Sequence, residues 1–368
     1  MGAKSKIIGV HLLNDFSGSP LVFSHALDAL QKSGEAVHLI SSKSEGFLSG
    51  KTYTYHHVNY VFKQNIVLRL VAFAWAQLSL FIKVFLIANA NDTVYINTLL
   101  PAGAAIAAKL KGAKVIYHVH ETSLGKYMKI LLKTIANNFG NKAIYVSRFL
   151  LEKEGLSKLE NRVVYNALSA EFMQKAETKR AIKKSVFRVL MLCSLKAYKG
   201  VGEFVELAKK VPNCAFDLVL NAQQNDIDSY FNGKALPNNL TIYPVQKNVH
   251  PFYAKASLLL NLSRPDEWVE TFGMTILEGF AYGLPCIAPP VGGPAEIVED
   301  GKNGFTISSY NTATLIEAIS LLSADKETYK AFSEASLKRV DDFKASAFEA
   351  GVLGVLKGAE SSSVLNLT

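Results

Sequence analysis

Two glutamates, Glu270 and Glu278, stand eight positions apart with Phe272-Gly273 between them. The pattern predicts that Glu270 lies in a loop after a strand and that Glu278 lies two turns into the following helix. A helix N-terminus offers free N–H donors and a partial positive charge, which suits a phosphate group. Gly273 would let a ligand approach the backbone closely. The two carboxylates would then accept hydrogen bonds from hydroxyl groups on both sides of a diphosphate, an arrangement that fits a nucleotide sugar.

The same pair of glutamates has an ordinary alternative interpretation. Glu270 would cap a surface loop and Glu278 would be a solvated helix residue, as residues of short motifs out of context often are. The sequence that surrounds the pair, from Leu262 to Phe305, decides between the two interpretations.

That segment resembles the retaining glycosyltransferases of family 4, which have the two-domain GT-B fold. Besides the two glutamates, the matching residues are Gly283-Leu284-Pro285, Gly292-Gly293, Glu296 and Asp300-Gly301-Lys302-Asn303-Gly304-Phe305. The resemblance implies that Glu270 contacts hydroxyl groups of the donor sugar and that Glu278 binds the ribose hydroxyls. It also implies that the backbone amides from Phe272 through Gly273 to Met274 hold hydroxyl and phosphate oxygens.

A lysine-containing loop lies further back in the sequence. The stretch from Met191 to Gly200 resembles the family's strand and loop that end in Lys-Gly, which implies that Lys199 neutralises the diphosphate leaving group. Ser194 stands where many members have an arginine. Lys196 is the candidate substitute, although a lysine cannot make the bidentate contact of an arginine. The alternative is that both lysines are solvated residues of a turn.

The first half of the chain contains a candidate active-site histidine. The segment from Val115 to Lys126 resembles the family's strand and loop that bear this residue, and both His118 and His120 are candidates. Strand alternation places both side chains on one face of the sheet. We prefer His120 for the catalytic role because it lies at the end of the strand, whereas a histidine within a strand is usually structural.

Ser17-Gly18 stands where the family has a glycine pair next to the diphosphate, which makes Gly18 a donor-binding candidate. The alternative is a plain loop before a helix. A helix is expected from Pro20, with Ser19 as its N-cap.

Short apolar runs alternate with longer helical patterns through both halves of the chain. This alternation predicts parallel sheets covered by helices, and therefore an α/β protein. We expect two Rossmann-like, doubly wound domains that face each other across a cleft, which is the GT-B arrangement. Ligands of such sheets bind at the carboxyl ends of the strands. We expect an acceptor-binding domain at residues 1–168, a nucleotide-sugar-binding domain at 169–345, and a C-terminal helix at 346–368 that returns to the first domain.

The expected strands and helices follow from the same patterns. The strands are expected at 6–13, 36–40, 93–97, 114–120, 143–147, 162–165, 187–193, 215–221, 240–243, 256–262 and 285–288. Helices are expected at 20–32, 66–88, 102–111, 125–138, 202–210 and 273–282, with a helical tail over 326–358.

Composition limits the class of protein. The 368 residues are 49% apolar and 19% charged, which excludes a disordered or collagen-like chain. The three cysteines, Cys193, Cys214 and Cys286, are too few and too scattered for a disulfide framework or a thiolate metal site, so a reducing compartment is expected. No secretory signal is recognised at the start of the chain. The net charge of +9 favours anionic partners.

Two segments bear on membranes. The apolar stretch from Ile66 to Ala90 contains Arg69 and Lys83 and is expected to form a buried helix, with an interfacial helix as the alternative. The helix from Lys126 to Lys133 alternates lysine with apolar residues and could rest on acidic lipid, which would suit a lipid-linked acceptor. An ordinary amphipathic surface helix is the alternative for that segment.

The resemblance, taken with these features, implies a retaining, metal-independent hexosyltransferase that moves a sugar from a nucleoside diphosphate sugar to a hydroxyl group of a glycan or lipid-linked acceptor. Polysaccharide, lipopolysaccharide or other glycoconjugate synthesis is the expected role. No cofactor, metal or nucleic-acid partner is expected, and the expected location is the cytoplasm, including the inner face of the cell membrane. The alternatives are a nucleotide-sugar epimerase of the same fold and a non-catalytic basic protein that binds membrane surfaces.

Overall fold

The computed structural model describes residues 5–61, 64–120, 125–180 and 186–358. The chain folds into two compact units. The first comprises Met1–Asn166 together with Ser346–Thr368, and the second comprises Ala167–Ala345. Each unit contains one parallel β-sheet with helices connecting its strands.

The elements are as follows. The strands are β1 Lys6–Val10, β2 Ala36–Ser42, β3 Thr54–Val58, β4 Thr93–Asn97, β5 Lys114–Val119, β6 Lys142–Tyr145, β7 Glu160–Val163, β8 Arg188–Ser194, β9 Ala215–Asn221, β10 Leu240–Tyr243, β11 Leu258–Leu260, β12 Cys286–Ala288 and β13 Gly304–Thr306. The helices are α1 Gly18–Lys32, α2 Ile66–Ile87, α3 Ala102–Leu110, α4 Lys126–Phe139, α5 Arg148–Glu154, α6 Ala170–Lys179, α7 Val201–Lys210, α8 Gln224–Phe231, α9 His250–Lys255, α10 Met274–Ala281, α11 Gly293–Ile297, α12 Thr312–Ala324, α13 Lys326–Val340 and α14 Ala345–Lys357.

The sheet of the first unit has seven strands in the order β3-β2-β1-β4-β5-β6-β7. Its central strands are buried on both faces, which explains why β4 is an almost unbroken apolar run with Val94, Tyr95 and Ile96 fully buried. The strand order reverses at β1, which pairs with β2 on one side and β4 on the other. Connections leave in opposite directions at such a point and open a crevice at the carboxyl ends of the strands. Residues that follow β1 and β4 are therefore the ones placed to meet a ligand.

The sheet of the second unit has six strands in the order β10-β9-β8-β11-β12-β13. Here the order reverses at β8, which pairs with β9 and β11. The loop after β8 carries Lys199 and the loop after β11 carries Glu270. Both residues thus lie after the two strands that diverge.

Helix α14 belongs to the first unit although it follows the second in sequence. Its buried Phe348 and Val352 pack into that unit, and Lys357 forms an ion pair with Glu35 at 3.0 Å. A Cβ atom added at Gly351 would lie 3.0 Å from a methyl carbon of Val164. The helix therefore packs closely against the residue that follows β7.

The predicted α/β architecture with two parallel sheets is confirmed. Several local predictions differ. Helix α1 begins at Gly18 with Ser17 as its N-cap, earlier than the Ser19 cap expected from sequence. Strand β3 was not expected, because its sequence, Thr-Tyr-His-His-Val, contains no apolar run.

The predicted helix over the apolar stretch is confirmed as α2, but its predicted burial is wrong. Only Ala76, Leu80 and Val84 of its residues are buried. Trp75 is 64% exposed and Leu86 is 76% exposed.

Candidate functional site

Lys199 and Glu270, which are 71 positions apart, form an ion pair in the second unit. Lys199 ends a short 3₁₀ turn, Ala197–Lys199, that follows β8. Ser263, just after β11, donates a hydrogen bond from its hydroxyl group to the same carboxylate oxygen of Glu270 at 3.1 Å. Both charged side chains are largely buried, with exposed fractions of 14% for Lys199 and 26% for Glu270. The loops after the two diverging strands therefore bring one cation and one anion together at the position where ligands of such sheets bind.

An aromatic pair holds the lysine in place. The rings of Tyr198 and Trp268 stack with centroids 5.0 Å apart and an interplanar angle of 17°. The Lys199 ammonium lies 5.2 Å from the Trp268 ring and 5.9 Å from the Tyr198 ring, within the range of a cation–π interaction. The backbone N–H of Arg264 donates to the carbonyl oxygen of Tyr198 at 2.8 Å, which ties the two loops together. Sequence reasoning missed Tyr198 and Trp268, although both lie beside residues that it singled out.

Glycines explain how these loops pack. Gly200 has a φ of 80°, and a Cβ at that position would meet the carbonyl oxygen of Leu262 at 2.3 Å. Gly292 has a φ of 78°, and its Cβ would meet the carbonyl oxygen of Glu270 at 2.4 Å. The N–H of Gly293 donates to that same carbonyl at 2.9 Å. The Gly-Gly turn of the sequence motif thus holds the backbone of the loop that carries Glu270.

Helix α10 starts immediately after this loop. Its N-cap residue is Gly273, with φ of 159° and ψ of 58°, and no side chain caps this end of the helix. Phe272 is buried and its ring packs edge-on against Phe343 at 6.0 Å, so its side chain is structural and only its backbone can face a ligand. Met274 is half-buried in the first turn. The amides from Phe272 to Met274 therefore have the placement expected of an anion site.

Glu278 lies on α10, one turn further along the helix. The hydroxyl group of Tyr253 donates a hydrogen bond to Glu278 Oε2 at 2.5 Å. Burial raises the pKa of the Glu278 carboxyl group to about 7, although the hydrogen bond from Tyr253 opposes that rise. Tyr253 is itself buried and stacks on Tyr282 at 5.7 Å. Glu278 is therefore a half-buried, positioned carboxylate, and the alternative interpretation as a solvated helix residue is wrong.

The other predicted residues of this unit differ in their placement. Lys196 is exposed and takes no part in the Lys199–Glu270 ion pair, and Ser194 is the last residue of β8.

The last residues of the sequence motif, 300–305, have a structural role. Asn303 accepts a hydrogen bond from the N–H of Glu299 at 2.9 Å, and a Cβ on Gly304 would lie 1.8 Å from the carbonyl oxygen of Cys286.

The first unit contains a histidine cluster at the carboxyl end of β5. His118 Nδ1 and the Tyr95 hydroxyl group form a hydrogen bond of 2.7 Å, and the His120 ring lies 4.2 Å from the His118 ring. Burial lowers the pKa of His118 to about 3. Burial together with His118 and His11 lowers the pKa of His120 well below its usual value. Both rings are therefore neutral at pH 7, and both Nε2 atoms are buried with no hydrogen-bond partner among the described residues.

His118 is fully buried, whereas His120 is half-buried and directly follows the strand. The preference for His120 as the residue that faces a ligand stays a prediction. Lys126, at the start of α4, is exposed, and residues 121–124 lie outside the described ranges.

A second connection in the first unit joins the ends of β1 and β4. His11 Nδ1 and Asn97 Nδ2 are 3.0 Å apart, and Asn97 also donates to the carbonyl oxygen of Ser19 at 3.2 Å. Thr98 has a φ of 69°, a left-handed conformation that is rare for a β-branched residue and is typical of functional loops. Sequence reasoning gave no role to His11 or Thr98. The signal available was their position directly after strands that flank the reversal of the sheet.

Gly18 is the first residue of α1 and is exposed, with open space where a Cβ would lie. Ser17 occupies the N-cap position, but its hydroxyl group donates to Asp15 Oδ1 at 2.5 Å and makes no capping hydrogen bond to the helix. The amides of this helix end are thus accessible to an anion, but Asp15 lies beside them. Over the described ranges, no group of three or more His, Cys, Asp or Glu residues could hold a metal ion.

Residues 173–339 match the family described as Glycosyl transferases group 1. The match covers the second unit, including Lys199, Glu270 and Glu278. It confirms the predicted resemblance to glycosyltransferases at the level of group 1.

Two curated proteins are similar over shorter stretches. A sucrose synthase from Denitrovibrio acetiphilus is 40% identical over 77 residues, which is 20% of this chain and 10% of that protein. The poly(glycerol-phosphate) alpha-glucosyltransferase of Bacillus subtilis is 27% identical over 163 residues, which is 43% of this chain and 24% of that protein. The similarity thus spans less than a quarter of the length of either relative.

The crystal structure of HepE from Anabaena, in complex with UDP and glucose, matches almost the whole chain. The TM-score is 0.76 with 18% sequence identity, over 96% of this chain and 100% of that one. At this identity the match establishes the fold, and it confirms the predicted GT-B fold.

Proposed function

We propose that this GT-B chain, whose residues 173–339 carry the group 1 glycosyltransferase match, moves a glycosyl group from a nucleoside diphosphate sugar to an acceptor hydroxyl group with retention of the anomeric configuration. The observation that carries the proposal is the ion pair of Lys199 with Glu270. It lies after the two strands that diverge in the second sheet, and the N-terminus of α10 follows the same loop. The HepE structure with UDP and glucose supports a donor of this class.

Lys199 and the first amides of α10 would stabilise the leaving group. When the bond between sugar and diphosphate breaks, negative charge develops on the diphosphate, and donors already fixed in place stabilise it without reorganisation. The stacked Tyr198 and Trp268 rings restrict the Lys199 side chain, so little conformational freedom remains to be lost in the transition state. Lys196, which is exposed, would make at most a secondary contact with the phosphates.

Glu270 would orient the donor sugar. Its Oε1 atom is occupied by Lys199 and Ser263, so Oε2 is the atom proposed to accept hydrogen bonds from sugar hydroxyl groups. An ion-paired carboxylate is a weak nucleophile. We therefore favour attack of the acceptor on the same face from which the diphosphate departs, with a departing phosphate oxygen accepting the proton of the acceptor hydroxyl group.

Glu278 would bind the ribose hydroxyl groups of the nucleotide. Hydroxyl groups that donate to a carboxylate favour its ionised form. The Tyr253 hydroxyl group keeps Oε2 of Glu278 in a fixed direction and leaves Oε1 for the ribose.

The first unit would supply the acceptor site and a contact to the donor. We assign His120 as the residue that hydrogen-bonds a sugar hydroxyl group, because its neutral ring has an unpartnered, buried Nε2 atom. Gly18 at the start of α1 is proposed to lie near the diphosphate, where its missing side chain would permit close approach.

No metal ion is proposed in the reaction. Lysine and helix amides would carry the charge compensation that a divalent cation provides in other enzymes. A glycan or a lipid-linked molecule is proposed as the acceptor, in glycoconjugate synthesis, and the name of the Bacillus subtilis relative supports this class. Catalysis in the cytoplasm, beside an acidic membrane, would suit a lipid-linked acceptor and the net charge of +9.

A donor panel tests the proposal. UDP, GDP, ADP and their glucose, galactose, mannose and N-acetylglucosamine conjugates are screened for an increase in melting temperature and for slow hydrolysis of the sugar. At least one nucleotide series should stabilise the protein, and Glu270→Ala should lose hydrolysis while keeping nucleotide binding. If no compound binds at millimolar concentration, the proposed function is wrong.

A further inference from the structure

Helix α2 is apolar both on its buried side and on its exposed side. One side, with Ala76, Leu80 and Val84, packs into the first unit. The opposite side carries a stripe of exposed large apolar residues, namely Val67, Leu68, Val71, Trp75, Leu78, Ile82, Phe85 and Leu86. A helix at the surface of a water-soluble domain normally presents polar residues there. A contiguous exposed apolar patch of this kind marks a site of interaction with another surface.

The charges around α2 indicate what that surface is. Helices α2, α3 and α4 contain no aspartate or glutamate, and their basic residues are Arg69, Lys83, Lys109, Lys126, Lys129 and Lys133. Helix α3 contacts both α2 and α4. The three helices also make successive crossovers in the same direction along the sheet, which places them on one face of it. The part of this face that the three helices form is therefore apolar and basic, and it complements an anionic lipid surface.

The lysines of α4 are less available than the sequence indicates. Lys129 and Lys133 form ion pairs with the buried carboxylate of Glu154, at 2.6 and 3.4 Å. They neutralise a carboxylate of their own unit. The main contact surface is consequently α2 rather than the segment from Lys126 to Lys133, for which the sequence left both a lipid contact and an ordinary surface helix open.

Helix α2 is the one helix in the described ranges that is long and apolar enough to cross a membrane, with 22 residues and a mean hydropathy of 2.1. It is about 33 Å long, at 1.5 Å for each residue. Its position in the fold argues against crossing, because it links β3 and β4 of one sheet and packs along α3. The Gly103 N–H, at the start of α3, donates to Gln77 Oε1 at 2.9 Å, and a Cβ on Gly103 would meet the Gln77 carbonyl oxygen at 2.2 Å.

We propose that α2 lies in the plane of an anionic bilayer, with its exposed stripe at the boundary between headgroups and acyl chains. Trp75, near the middle of the stripe, is a residue type enriched at that boundary. Lys83 and Lys109 would extend their aliphatic stems along the apolar surface and place their ammonium groups among the lipid phosphates. This proposal specifies which surface of the protein would make the proposed membrane contact. The membrane contact of α2 does not depend on whether the donor is a nucleotide sugar.

Tryptophan fluorescence provides a direct test. Trp75 and Trp268 are the two tryptophans of the chain, so the Trp268→Phe protein reports on Trp75 alone. With vesicles of phosphatidylcholine and phosphatidylglycerol at 3:1, we expect a blue shift of Trp75 emission and quenching by lipids brominated near the top of the acyl chain. Vesicles of phosphatidylcholine alone should give a much smaller effect, and added salt should weaken binding to the mixed vesicles.

Vesicle sedimentation with a matched pair of triple variants supplies the second measurement. Val71→Ser, Leu78→Ser and Ile82→Ser together should lower partition onto the mixed vesicles at least tenfold. The control combines Leu236→Ser, Val245→Ser and Leu321→Ser, three similarly exposed apolar residues of the second unit, and should bind as the unmodified protein does. Circular dichroism verifies that both variants are folded.

Three results would overturn the inference. One is unchanged Trp75 emission with the mixed vesicles. Another is a stable dimer by light scattering that the α2 triple variant dissociates, which would make this face an interface between two copies of the chain. The third is retention in the membrane at alkaline pH, which would indicate a spanning helix. These assays contain no nucleotide, so their results do not depend on the proposed donor. The donor panel tests the donor proposal separately.

Discussion

The Tyr253 hydroxyl group and the Glu278 carboxylate share a 2.5 Å hydrogen bond on the inner side of α10. Tyr253 comes from α9, which precedes the strand β11 that leads to Glu270. One candidate ligand-binding carboxylate is thus held by a tyrosine and the other by a lysine.

The pKa of Glu278 predicts a pH-dependent stability. The carboxyl group has a pKa of about 7 in the folded protein and 4.5 when unperturbed, so between these values the folded state retains a proton that the unfolded chain has lost. The free energy of unfolding should therefore fall as the pH rises from about 4.5 to 7, by up to about 3 kcal/mol. Glu278→Gln, which removes this titration, should be more stable than the unmodified protein at pH 8 and similar at pH 4.5.

Urea unfolding at pH 4.5 and pH 8 provides the measurement. Glu317→Gln on α12, an exposed glutamate, is the control and should leave the pH dependence unchanged. Equal pH dependence in the Glu278→Gln and unmodified proteins would contradict the burial argument.

Nucleotide binding should release a proton from Glu278. Ribose hydroxyl groups that donate to the carboxylate favour its charged form, so binding lowers the pKa of Glu278 and the affinity rises between pH 6 and 8. A shift of one pKa unit corresponds to a change of about tenfold in affinity. Calorimetry in two buffers with different ionisation enthalpies counts the protons released, and Glu278→Gln should release fewer. An identical proton count in that variant would remove Glu278 from the ribose site.

Lys199→Ala and Lys196→Ala form a second matched pair. Lys199 is held by Glu270 and Trp268, whereas Lys196 is exposed. Loss of a fixed donor to the leaving group should reduce kcat by about 10²- to 10³-fold in Lys199→Ala. Lys196→Ala should reduce kcat by less than about tenfold. Steady-state kinetics with the donor found in the panel makes the comparison. A larger loss of kcat in Lys196→Ala than in Lys199→Ala would assign stabilisation of the leaving group to Lys196 instead.

Gly292→Ala and Gly301→Ala compare a glycine that the Glu270 loop requires with a glycine that has open space around it. Both glycines have a positive φ, of 78° and 72°, but Gly292 also has a ψ of −165°, a combination that is essentially restricted to glycine, so substitution there adds backbone strain as well as a contact. Only at Gly292 would the new methyl group meet a backbone atom, the Glu270 carbonyl oxygen at 2.4 Å, whereas the space at Gly301 is open. We expect Gly292→Ala to lose at least about 2 kcal/mol more stability than Gly301→Ala. Chemical denaturation measures the difference, and equal losses would show that the loop adapts.

The sequence predicts strands well where the pattern is unbroken. The bounds of β4, β9 and β10 are those expected, because each is an apolar run between turn residues. Strand β3, Thr54–Val58, was missed because its sequence, Thr-Tyr-His-His-Val, contains no apolar run. The three-residue strands β11 and β12 are shorter than predicted, since apolar residues continue into buried loops.

The sequence predicted which residue types form the candidate site, but it did not predict the contacts between them. The spacing of Glu270 and Glu278 indicated a carboxylate pair, but no local pattern shows that Lys199 meets Glu270 from 71 positions away. The pairing depends on the reversal of strand order at β8, a property of the whole sheet. In the same way, composition showed that α2 is apolar but could not show that no other element of the described chain covers it.

Helix α14 has a consequence for how the protein forms during synthesis. The first unit needs Phe348 and Val352, which leave the ribosome only after the whole second unit has been made. The first unit therefore stays incomplete, with the apolar surface around Val164 uncovered, until α14 has been synthesised. The second unit can complete its own core before that. A nascent chain stalled before Ala345 would be the species most exposed to chaperones and to aggregation.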